Sequence, residues 1–389
     1  MRKTISVLSV VLVSMLIIAP TASAEETIKI GFNIPLTGDI PKVGEESKFA
    51  AEMMRADING AGGIEIGGKK YMVEFVYEDN ESKAESAVSA TLKLIERDQI
   101  LAMVGSNSSK QAVPAGQVAN DNRTPMISPW STNPDTTRDR PWVFRAAFLD
   151  PFQGPVAVDF ARKTFDAKTA AVLFALANDY SKGLAEIFRD DFNKKLGDGA
   201  VVAYESYGDK DQDFSAQLTK IIAAEPDFIF LPNNYNEVAL IVKQAKDLGW
   251  DGPFMGADAW GNSELMPLCG DDCKGHYFST HYAAAGATGA TKEFIDRYQG
   301  KYGYKPADVA ALTWDAIQIV VQGLKDMESL TGNIRKDRQA LRDAIAGIEE
   351  VEGITGNMKF DEQGDPIKCA VVVKISDDGE FVFTESVCP

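Results

Sequence analysis

Two polar stretches, Gly105-Ser106-Asn107-Ser108-Ser109 and Ser128-Pro129-Trp130-Ser131-Thr132-Asn133-Pro134, each follow a short apolar run of the chain. The runs, residues 100–104 and 125–127, are nearly uninterrupted, which predicts buried parallel strands. The hydroxyls that follow them then lie at the carboxyl ends of strands, where ligands bind in an open α/β sheet. We therefore predict that the two polar stretches line one binding site.

The chemistry of these stretches favours a small carboxylate. Residues 110–120 have a helical pattern, and the free amides and dipole at the start of a helix attract an anion. The predicted hydroxyl donors are Ser108, Ser109, Ser131 and Thr132. The alternative interpretation is structural, because serine, threonine, asparagine and proline also form ordinary caps and turns.

The rest of the chain repeats a strand–helix alternation, which predicts parallel sheets with helices on both faces. The first half has strand patterns at 27–33, 71–77 and 143–145 and helix patterns at 45–59 and 84–97. Asp150-Pro151-Phe152-Gln153-Gly154 is interpreted as a break after the last of these strands. The alternation then restarts, with strands at 170–175, 201–204, 227–231, 253–256 and 277–282 and helices at 178–196, 213–224 and 237–248.

The last part of the chain is predicted to be mostly helical, with helices at 290–302, 306–327 and 337–348 and short β pieces at 356–361, 370–375 and 380–384. The pattern alone does not assign these elements to either half. About 365 residues remain after the N-terminal segment described next, a length that favours two domains.

The first 24 residues have the features of a secretory signal. Arg2 and Lys3 precede an apolar run, residues 7–19, and Ala22-Ser23-Ala24 provides a small-residue cleavage site. The run is too short for a spanning helix. We predict a soluble exported protein, and the formal net charge of −17 makes nucleic acid an unfavourable partner.

Four cysteines are present, and an exported protein normally pairs them. Their clustering suggests the disulfides Cys269–Cys273 and Cys369–Cys388, although four cysteines allow three connectivities. A zinc site is the competing interpretation, but it needs histidine ligands and the chain has only two histidines. We predict neither a metal site nor a cofactor.

Several motifs, spread over the whole chain beyond the signal, resemble those of type I periplasmic binding proteins. The nearest members are the branched-chain amino acid receptors of ABC importers. Each motif is weak alone, but their order and spacing are specific. They are Gly31 to Gly38, Asp57 to Ile64, Ser128 to Pro134, Phe144-Arg145 with Asp150 to Gly154, Asp179 to Ala185, Asp213-Phe214-Ser215 and Phe254 to Trp260.

The resemblance implies two doubly wound α/β lobes with a ligand cleft between them. The first lobe would contain 27–150 plus 283–354, and the second 151–282 plus 355–389. Three crossover strands would join the lobes, near Asp150, His281 and Thr355. The lobes are expected to close over the ligand, driven by contacts that the ligand makes with both.

Carried over by position, the resemblance assigns both ends of an amino acid. Ser109 and the turn Trp130-Ser131-Thr132, with the backbone serving at Trp130, would hold the α-carboxylate. Asp258 would meet the α-amino group, although many family members have the longer glutamate there. Tyr180 matches a tyrosine that hydrogen-bonds the ligand from the second lobe.

The side-chain pocket departs from the family pattern. Trp130 stands where the leucine receptors have a small residue, and Val43 stands where an aromatic residue often lines the pocket. Trp130 is therefore expected to form the apolar wall or to fill the pocket and select smaller ligands. Trp260 and Tyr282 are further wall candidates, and for each aromatic residue core packing is the alternative.

An enzyme is the rival class, but the sequence contains no nucleophile elbow, Walker loop or His-Glu-x-x-His motif. We therefore predict a non-enzymatic, monomeric receptor in the periplasm that delivers an amino acid to a membrane permease. A second alternative keeps the fold and changes the ligand to an amide, a urea or an aromatic acid. A third has the protein feed a sensor instead of an importer.

Overall fold

The computed structural model describes residues 26–208 and 210–389. The predicted signal, residues 1–24, lies outside the described residues. The described strands are β1 (Thr27–Ile34), β2 (Ile64–Ile66), β3 (Lys69–Asp79), β4 (Ala102–Gly105), β5 (Met126–Ser128), β6 (Val143–Arg145), β7 (Ala170–Ala175), β8 (Val201–Tyr207), β9 (Ile229–Leu231), β10 (Phe254–Gly256), β11 (Tyr277–Thr280), β12 (Glu350–Gly353), β13 (Gly356–Phe360), β14 (Pro366–Ile367), β15 (Ala370–Ile375) and β16 (Phe381–Val387).

The described helices alternate with these strands in the first two thirds of the chain and follow one another after β11. They are α1 (Pro41–Gly60), α2 (Ala84–Glu96), α3 (Ser109–Asp121), α4 (Asp150–Thr164), α5 (Asp179–Leu196), α6 (Ser215–Ala223), α7 (Tyr235–Asp247), α8 (Leu265–Cys269), α9 (Gly289–Tyr302), α10 (Asp308–Asp326) and α11 (Ile334–Ala346).

The first sheet has the strand order β2-β3-β1-β4-β5-β6. All its neighbours are parallel except β2, which pairs antiparallel with β3. The chain order reverses at β1, where β3 lies on one side and β4 on the other. Such a switch point opens a crevice at the carboxyl ends of the strands. The first predicted polar stretch follows β4, beside this crevice.

The second sheet has the strand order β16-β15-β11-β10-β9-β7-β8. Strands β7 to β11 are parallel, whereas β15 and β16 add antiparallel at the β11 edge. The sequence pattern predicts parallel sheets and did not indicate these antiparallel edge strands. Because β15 and β16 return as a hairpin, they need no crossover helix.

Helices cover both faces of the first sheet. Met103 of β4 packs with Leu94 of α2 and Ala112 of α3, whereas its neighbour Val104 points into the main core. On the opposite face α10 packs against α1, and α11 packs against α10. The last helices of the chain therefore cover the first sheet, although their sequence follows the strands of the second.

One prediction of local structure is wrong. The segment Asp150–Gly154 does not interrupt the chain but begins α4, because Pro151 stands in the first helical turn, where a missing N–H is harmless. The β piece predicted at 356–361 is confirmed as β13, and it lies outside the two large sheets. Strand β13 pairs with β12 and β14 in a separate three-stranded sheet.

Both disulfides pair as predicted, Cys269 with Cys273 and Cys369 with Cys388. The first staples the loop after α8, and the second ties β16 to the segment before β15. Since all four sulfur atoms are used in these bonds, the alternative of a cysteine zinc site is wrong. Within residues 26–208 and 210–389, no helix has the length and apolar character needed to cross a bilayer.

The chain passes from one large sheet to the other three times. The passages lie between β6 and β7, between β11 and α9, and between the small third sheet and β15. The predicted fold class, two α/β lobes joined by three crossovers, is thereby confirmed. The carboxyl ends of β4 and β5 in one lobe face those of β7 and β10 in the other.

Candidate ligand-binding cleft

The polar turn after β4 is built on a glycine. Gly105 has a φ of +113°, and a Cβ atom there would lie 2.3 Å from the carbonyl oxygen of Asn33. The backbone then turns so that Ser108 precedes the first residue of α3, which is Ser109. The Oγ atom of Ser109 lies 2.8 Å from that of Ser131, within hydrogen-bond distance. The structure thus joins the two predicted polar stretches directly.

The turn after β5 is held by hydroxyl groups. Ser128 donates to the carbonyl oxygen of Ser106 at 2.8 Å, and the Ser131 and Thr136 hydroxyls are 2.7 Å apart. Thr132 is fully buried, and its Oγ1 atom has no hydrogen-bond partner among the described residues. The Thr132 hydroxyl does interact with the neighbouring carboxyl group of Asp150, and this interaction acts to lower the pKa of Asp150.

The opposite side of the cleft is organised around Asp258, which follows β10. Its Oδ1 accepts hydrogen bonds from Tyr180 Oη and Gln153 Nε2, each at 2.8 Å. Tyr180 lies in the first turn of α5, where its backbone N–H is capped by the side chain of Asn178. Burial, and next the charge of Asp258, raises the pKa of Tyr180 well above its usual value, so its hydroxyl remains a donor.

These two sides enclose one small cavity of about 10 Å³. A cavity of this size holds roughly one water molecule, so an organic ligand fits only when the lobes separate. The predicted residues Ser108, Ser109, Trp130, Tyr180 and Asp258 therefore share one gap. The cavity wall consists of Ser108, Ser109, Trp130, Tyr180, Asn234, Asp258 and Ala259.

A wider polar opening of about 430 Å³ continues from this cavity towards the surface. Ser108 and Asn234 line both spaces, so the opening is the mouth of the same cleft. One bond across it joins the lobes, from Asn236 Nδ2 to the carbonyl oxygen of Asp39 at 3.2 Å. The mouth is lined from both lobes, which is the arrangement expected for an entrance that widens as they separate.

Three predicted wall residues lie outside the cavity wall. Val43 is fully buried in α1. Trp260 is fully buried in the second lobe, where its Nε1 donates to the carbonyl oxygen of Leu231 at 2.9 Å. Tyr282 donates to the carbonyl oxygen of Pro306 and lines a separate pocket of about 290 Å³. These positions match the core-packing alternative, and their roles in binding stay predictions.

The structure also places residues in the cleft, or next to Asp258, that sequence reasoning missed. Gln153 bonds Asp258, Asn234 lines the cavity, and His281 and Asp308 lie beside Asp258. Gln153 belongs to the motif Asp150–Gly154, so the family resemblance could have indicated it. His281 and Asp308 stand in no local motif, so no sequence signal for them was available.

Burial changes the protonation of several groups around the cleft. It raises the pKa of Asp150 to about 8 and that of Asp308 well above its usual value, and in both cases the charge of Asp258 adds to the rise. Burial lowers the pKa of His281 to about 4, so its imidazole is neutral at pH 7. Burial and the charge of Asp258 therefore favour the protonated form of Asp150 and Asp308, which lie behind the cavity wall.

A cleft between two α/β lobes, with hydroxyls on one side and a carboxylate on the other, defines a two-lobed solute-binding protein. The chain belongs to the periplasmic binding protein family, because the model of that family matches residues 27–380.

Relatives and solved structures agree with this assignment. The chain is 30% identical to the leucine-, isoleucine-, valine-, threonine- and alanine-binding protein of Pseudomonas aeruginosa, over 79% of this chain and 80% of the relative. It is similar to LivJ of Streptococcus pneumoniae in complex with isoleucine, with 30% identity, a TM-score of 0.84 and coverage of 94% and 100%. The leucine-binding protein LivK of Thermotoga maritima gives 30% identity, a TM-score of 0.83 and coverage of 93% and 99%.

Proposed function

We propose that this protein captures a free amino acid, branched-chain or otherwise hydrophobic, and delivers it to the permease of an ABC importer. The observation that carries the proposal is the composition of one cavity wall. Ser109 from the first lobe and Asp258 from the second face the same gap. Hydroxyls and amides on one side suit a carboxylate, and a carboxylate on the other suits an ammonium group.

The negative end of the ligand binds the first lobe. Ser109, Ser131 and Thr132 offer hydroxyls, the backbone at Trp130 offers an N–H group, and the first turn of α3 adds amides and a favourable dipole. All these groups are neutral hydrogen-bond donors, so the carboxylate would be held by hydrogen bonds and not by a charged side chain.

The positive end of the ligand binds the second lobe. A buried zwitterion needs partners for both of its charges, since an unpaired charge loses far more in desolvation than it gains. Asp258 supplies the charge, and Tyr180 holds the Asp258 carboxylate in place through the 2.8 Å hydrogen bond. Because the two ends of the ligand bind different lobes, binding favours the closed form.

The ligand side chain points towards the mouth of the cleft. Trp130 forms the apolar wall there and Ser108 a small polar one. The residues behind this wall support the side chains that contact the ligand. They are Val43, Trp260 and Tyr282. The apolar surface of the Trp130 ring favours an apolar ligand side chain at this point.

The lobes that close are residues 27–150 plus 283–354 and residues 151–282 plus 355–389. The packing of α10 on α1 supports assigning the late helices to the first lobe, and the pairing of β15 with β11 supports assigning the last strands to the second. With these bounds the hinge lies near Asp150, His281 and Thr355.

The biological setting follows from the family. We place the mature protein in the periplasm as a monomer without a catalytic role, and its partners are the amino acid and the permease subunits. An acidic protein of formal charge −17 is a poor ligand for nucleic acid. The alternatives are the same fold with an amide, urea or aromatic acid ligand, or delivery to a sensor.

A thermal-shift screen tests the ligand class. The twenty amino acids, simple amides, urea and benzoate are added one at a time, and a true ligand raises the melting temperature because it binds only the folded state. We expect an aliphatic amino acid to give the largest shift. Benzoate or urea giving the largest shift instead would reject the amino acid assignment.

The variant Asp258→Asn tests the site. We expect amino acid affinity to fall by about 2–5 kcal/mol, since the ammonium group loses its charged partner. Asp337→Asn is the matched control, because Asp337 is a buried aspartate far along the chain from Asp258 that accepts hydrogen bonds from Thr331 and Gly332. Calorimetry that finds equal affinity in the wild type and Asp258→Asn contradicts the assignment.

A further inference from the structure

A fully buried carboxyl group on α1 connects the two lobes at a point outside the wall of the small cavity. Glu46 lies near the start of α1, which packs on β1 and β3 of the first sheet, and its side chain has no exposed surface. Its Oε1 atom accepts a hydrogen bond from Ser263 Oγ at 2.5 Å, and its Oε2 atom accepts one from the backbone N–H of Ala307 at 2.9 Å. Ser263 follows β10 of the second sheet, so the first of these bonds spans the two lobes.

Burial sets the protonation of Glu46. It raises the pKa of the carboxyl group from 4.5 to about 7, although the hydrogen bonds from Ser263 and Ala307 favour the charged form and oppose the rise. On the same helix the charge of Lys42 lowers this pKa and that of Glu45 raises it. Because Lys42 forms an ion pair with Glu45, the cation that acts on Glu46 is already paired. The closed lobes therefore favour a neutral Glu46 more strongly than water does.

The other titratable groups that face Glu46 are also held neutral. They come from the start of α7, from the segment after β11, from α9 and the loop after it, and from the start of α10. Burial raises the pKa of each of them, and the charge of Glu46 adds a smaller rise. They therefore provide no positive charge that would stabilise a buried Glu46 carboxylate. These groups are Tyr235, Tyr282, Tyr298, Tyr304 and Asp308.

We propose that ligand capture takes up one proton at Glu46, so that the affinity for the ligand rises as the pH falls. When the lobes are apart, Ser263 and the buried ring of Tyr235 leave Glu46, and water solvates its carboxylate. Closure removes this water, and a proton from the solvent then binds one carboxyl oxygen. The neutral group keeps both hydrogen bonds, because Oε1–H donates to Ser263 Oγ while Oε2 still accepts from Ala307.

The direction of the pH effect follows from the pKa of Glu46 in the two forms. The solvated carboxyl group of the separated lobes has a pKa near the usual 4.5, whereas closure raises the pKa to about 7. Between these values the closed, ligand-bound protein holds a proton that the open protein has lost. Affinity therefore falls as the pH rises from 4.5 to 7, by up to about tenfold per pH unit. Above pH 7 the carboxyl group is charged in both forms and the dependence ends.

Two other bonds between the lobes contain no group that titrates in this range. Asn236 Nδ2 donates to the carbonyl oxygen of Asp39 at 3.2 Å, and Asn133 Nδ2 donates to that of Asp179 at 2.8 Å. Amide and carbonyl groups do not ionise, so these bonds hold the closed form without depending on pH. Since ligand capture is itself the proposed function, the proton coupling rests on it and adds that capture is tightest in an acidic medium.

Calorimetry with the best amino acid of the thermal-shift screen tests the proton coupling. We expect the wild type to bind about tenfold more tightly at pH 5.5 than at pH 7.5. Titrations at pH 6.5 in two buffers with different heats of ionisation give the number of protons that binding takes up. We expect between about one half and one proton per ligand. Equal affinity at both pH values, or no proton uptake, overturns the proposal.

Variants connect the proton to Glu46. Glu46→Gln is neutral at every pH and keeps both hydrogen bonds, so we expect its affinities at pH 5.5 and pH 7.5 to differ less than about threefold. Glu52→Gln is the matched control, since Glu52 lies further along α1 and bonds Arg55 and Tyr77 of the same lobe. The control should keep the wild-type preference for pH 5.5. A preference that persists in Glu46→Gln assigns the proton to another group and overturns the proposal.

The variant Ser263→Ala gives a second test that does not depend on the folding of the first variant. The Ser263 hydroxyl stabilises a charged carboxylate more than a neutral carboxyl group. Its loss should therefore lower affinity more at pH 7.5 than at pH 5.5, by at least about threefold. A purely structural role would lower affinity equally at both pH values, and that result overturns the proposal.

If none of the twenty amino acids binds, the proposed function is wrong, and the proton coupling is then tested on lobe closure alone. Asp39→Cys and Asn236→Cys place one new thiol on each side of the cleft mouth, and a short bismaleimide joins them. The four native cysteines are in disulfides and do not react. Carbon-13 NMR of the glutamate carboxyl groups, assigned through Glu46→Gln, should find the pKa of Glu46 at least about one pH unit higher in the joined protein than in the unjoined one. Equal pKa values in the two proteins overturn the proposal.

Discussion

Trp130 Nε1 donates a hydrogen bond of 3.1 Å to Asp308 Oδ1, which joins the polar turn after β5 to the first residue of α10. The two residues are 178 positions apart in the chain. The contact explains how a large aromatic residue is accommodated in this polar turn. Its indole lines the cavity with one face and satisfies a buried acid with its N–H group.

Replacing Trp130 by Phe should destabilise the fold. The substitution removes the N–H donor and leaves a buried carboxyl group with one partner fewer, which costs about 1–3 kcal/mol. Urea denaturation followed by circular dichroism measures the change. Trp250→Phe is the control, because the buried Trp250 Nε1 has no hydrogen-bond partner among the described residues. A Trp130 variant no less stable than the control would show that the bond to Asp308 contributes nothing.

Tyr180→Phe should weaken ligand binding without unfolding the protein. The hydroxyl bonds Asp258 Oδ1 at 2.8 Å, and its loss leaves Gln153 as the donor that orients this oxygen. Hydrogen bonds to charged groups contribute about 1.5–3 kcal/mol, so we expect affinity to fall at least about tenfold. Calorimetry with the best ligand of the thermal-shift screen measures the effect.

Tyr204→Phe provides the matched comparison for Tyr180. Its hydroxyl has no hydrogen-bond partner among the described residues, and its ring lies near Arg189, outside the cleft. We expect this variant to bind like the wild type. An equal loss of ligand affinity in the Tyr180 and Tyr204 variants would mean that the effect at Tyr180 does not come from its hydrogen bond to Asp258.

Arg145 explains why the polar turn after β5 is rigid. The side chain is fully buried and donates to the carbonyl oxygens of Ser131 and Asn133 at 2.8 and 3.0 Å. It also donates to Thr137 Oγ1 at 2.6 Å and to Asp365 Oδ1 at 2.5 Å. One guanidinium therefore connects the polar turn after β5 to the loop of the small third sheet that contains Asp365.

The variant Arg145→Met should be strongly destabilised, by about 3–5 kcal/mol, since the Asp365 charge remains buried without its partner. The double variant Arg145→Met with Asp365→Asn should recover part of this loss because no buried charge is left unpaired. Urea denaturation of both proteins measures the coupling between the two residues. Strictly additive effects would contradict a direct ion pair.

The order of the strands along the chain was predictable because buried parallel strands appear in the sequence as short, uninterrupted apolar runs. Strand β7, Ala170–Ala175, consists of six buried apolar residues and was predicted with its observed bounds. Helix α4 was missed because Pro151, Gly154 and Pro155 suggest a break, yet a proline in the first turn fits a helix and Gly154 packs closely against Ile187. Proline is compatible with the first turn of a helix but normally breaks a helix in its middle, so the sequence pattern alone did not distinguish the two cases.

The candidate site was predictable only where its residues stand in a local sequence pattern. Ser109 and Tyr180 lie at the ends of predicted strands or the starts of helices, so the strand-end rule and the family motifs both indicated them. His281 and Asp308 meet Asp258 only through the crossing of chain segments between the lobes. No local pattern encodes a contact of that kind, and it required the three-dimensional arrangement.

The carboxyl group of Asp150 should make stability depend on pH. It is fully buried beside the charge of Asp258, and its pKa is raised from 3.8 to about 8, although the charge of Arg145 opposes the rise. Between these two pKa values the folded protein holds a proton that the unfolded chain has lost. Stability therefore falls as pH increases, by about 1.4 kcal/mol per pH unit for this group.

The comparison of wild type with Asp150→Asn isolates this effect, because an amide does not titrate. The buried histidines His276 and His281, whose pKa values are lowered to about 4, act in the opposite direction below pH 6.5 and cancel between the two proteins. Urea denaturation at pH 5, 6 and 7 should show the wild type losing about 1.4 kcal/mol per pH unit relative to the variant. A stability difference that stays constant over this range would mean that Asp150 is already ionised in the folded protein.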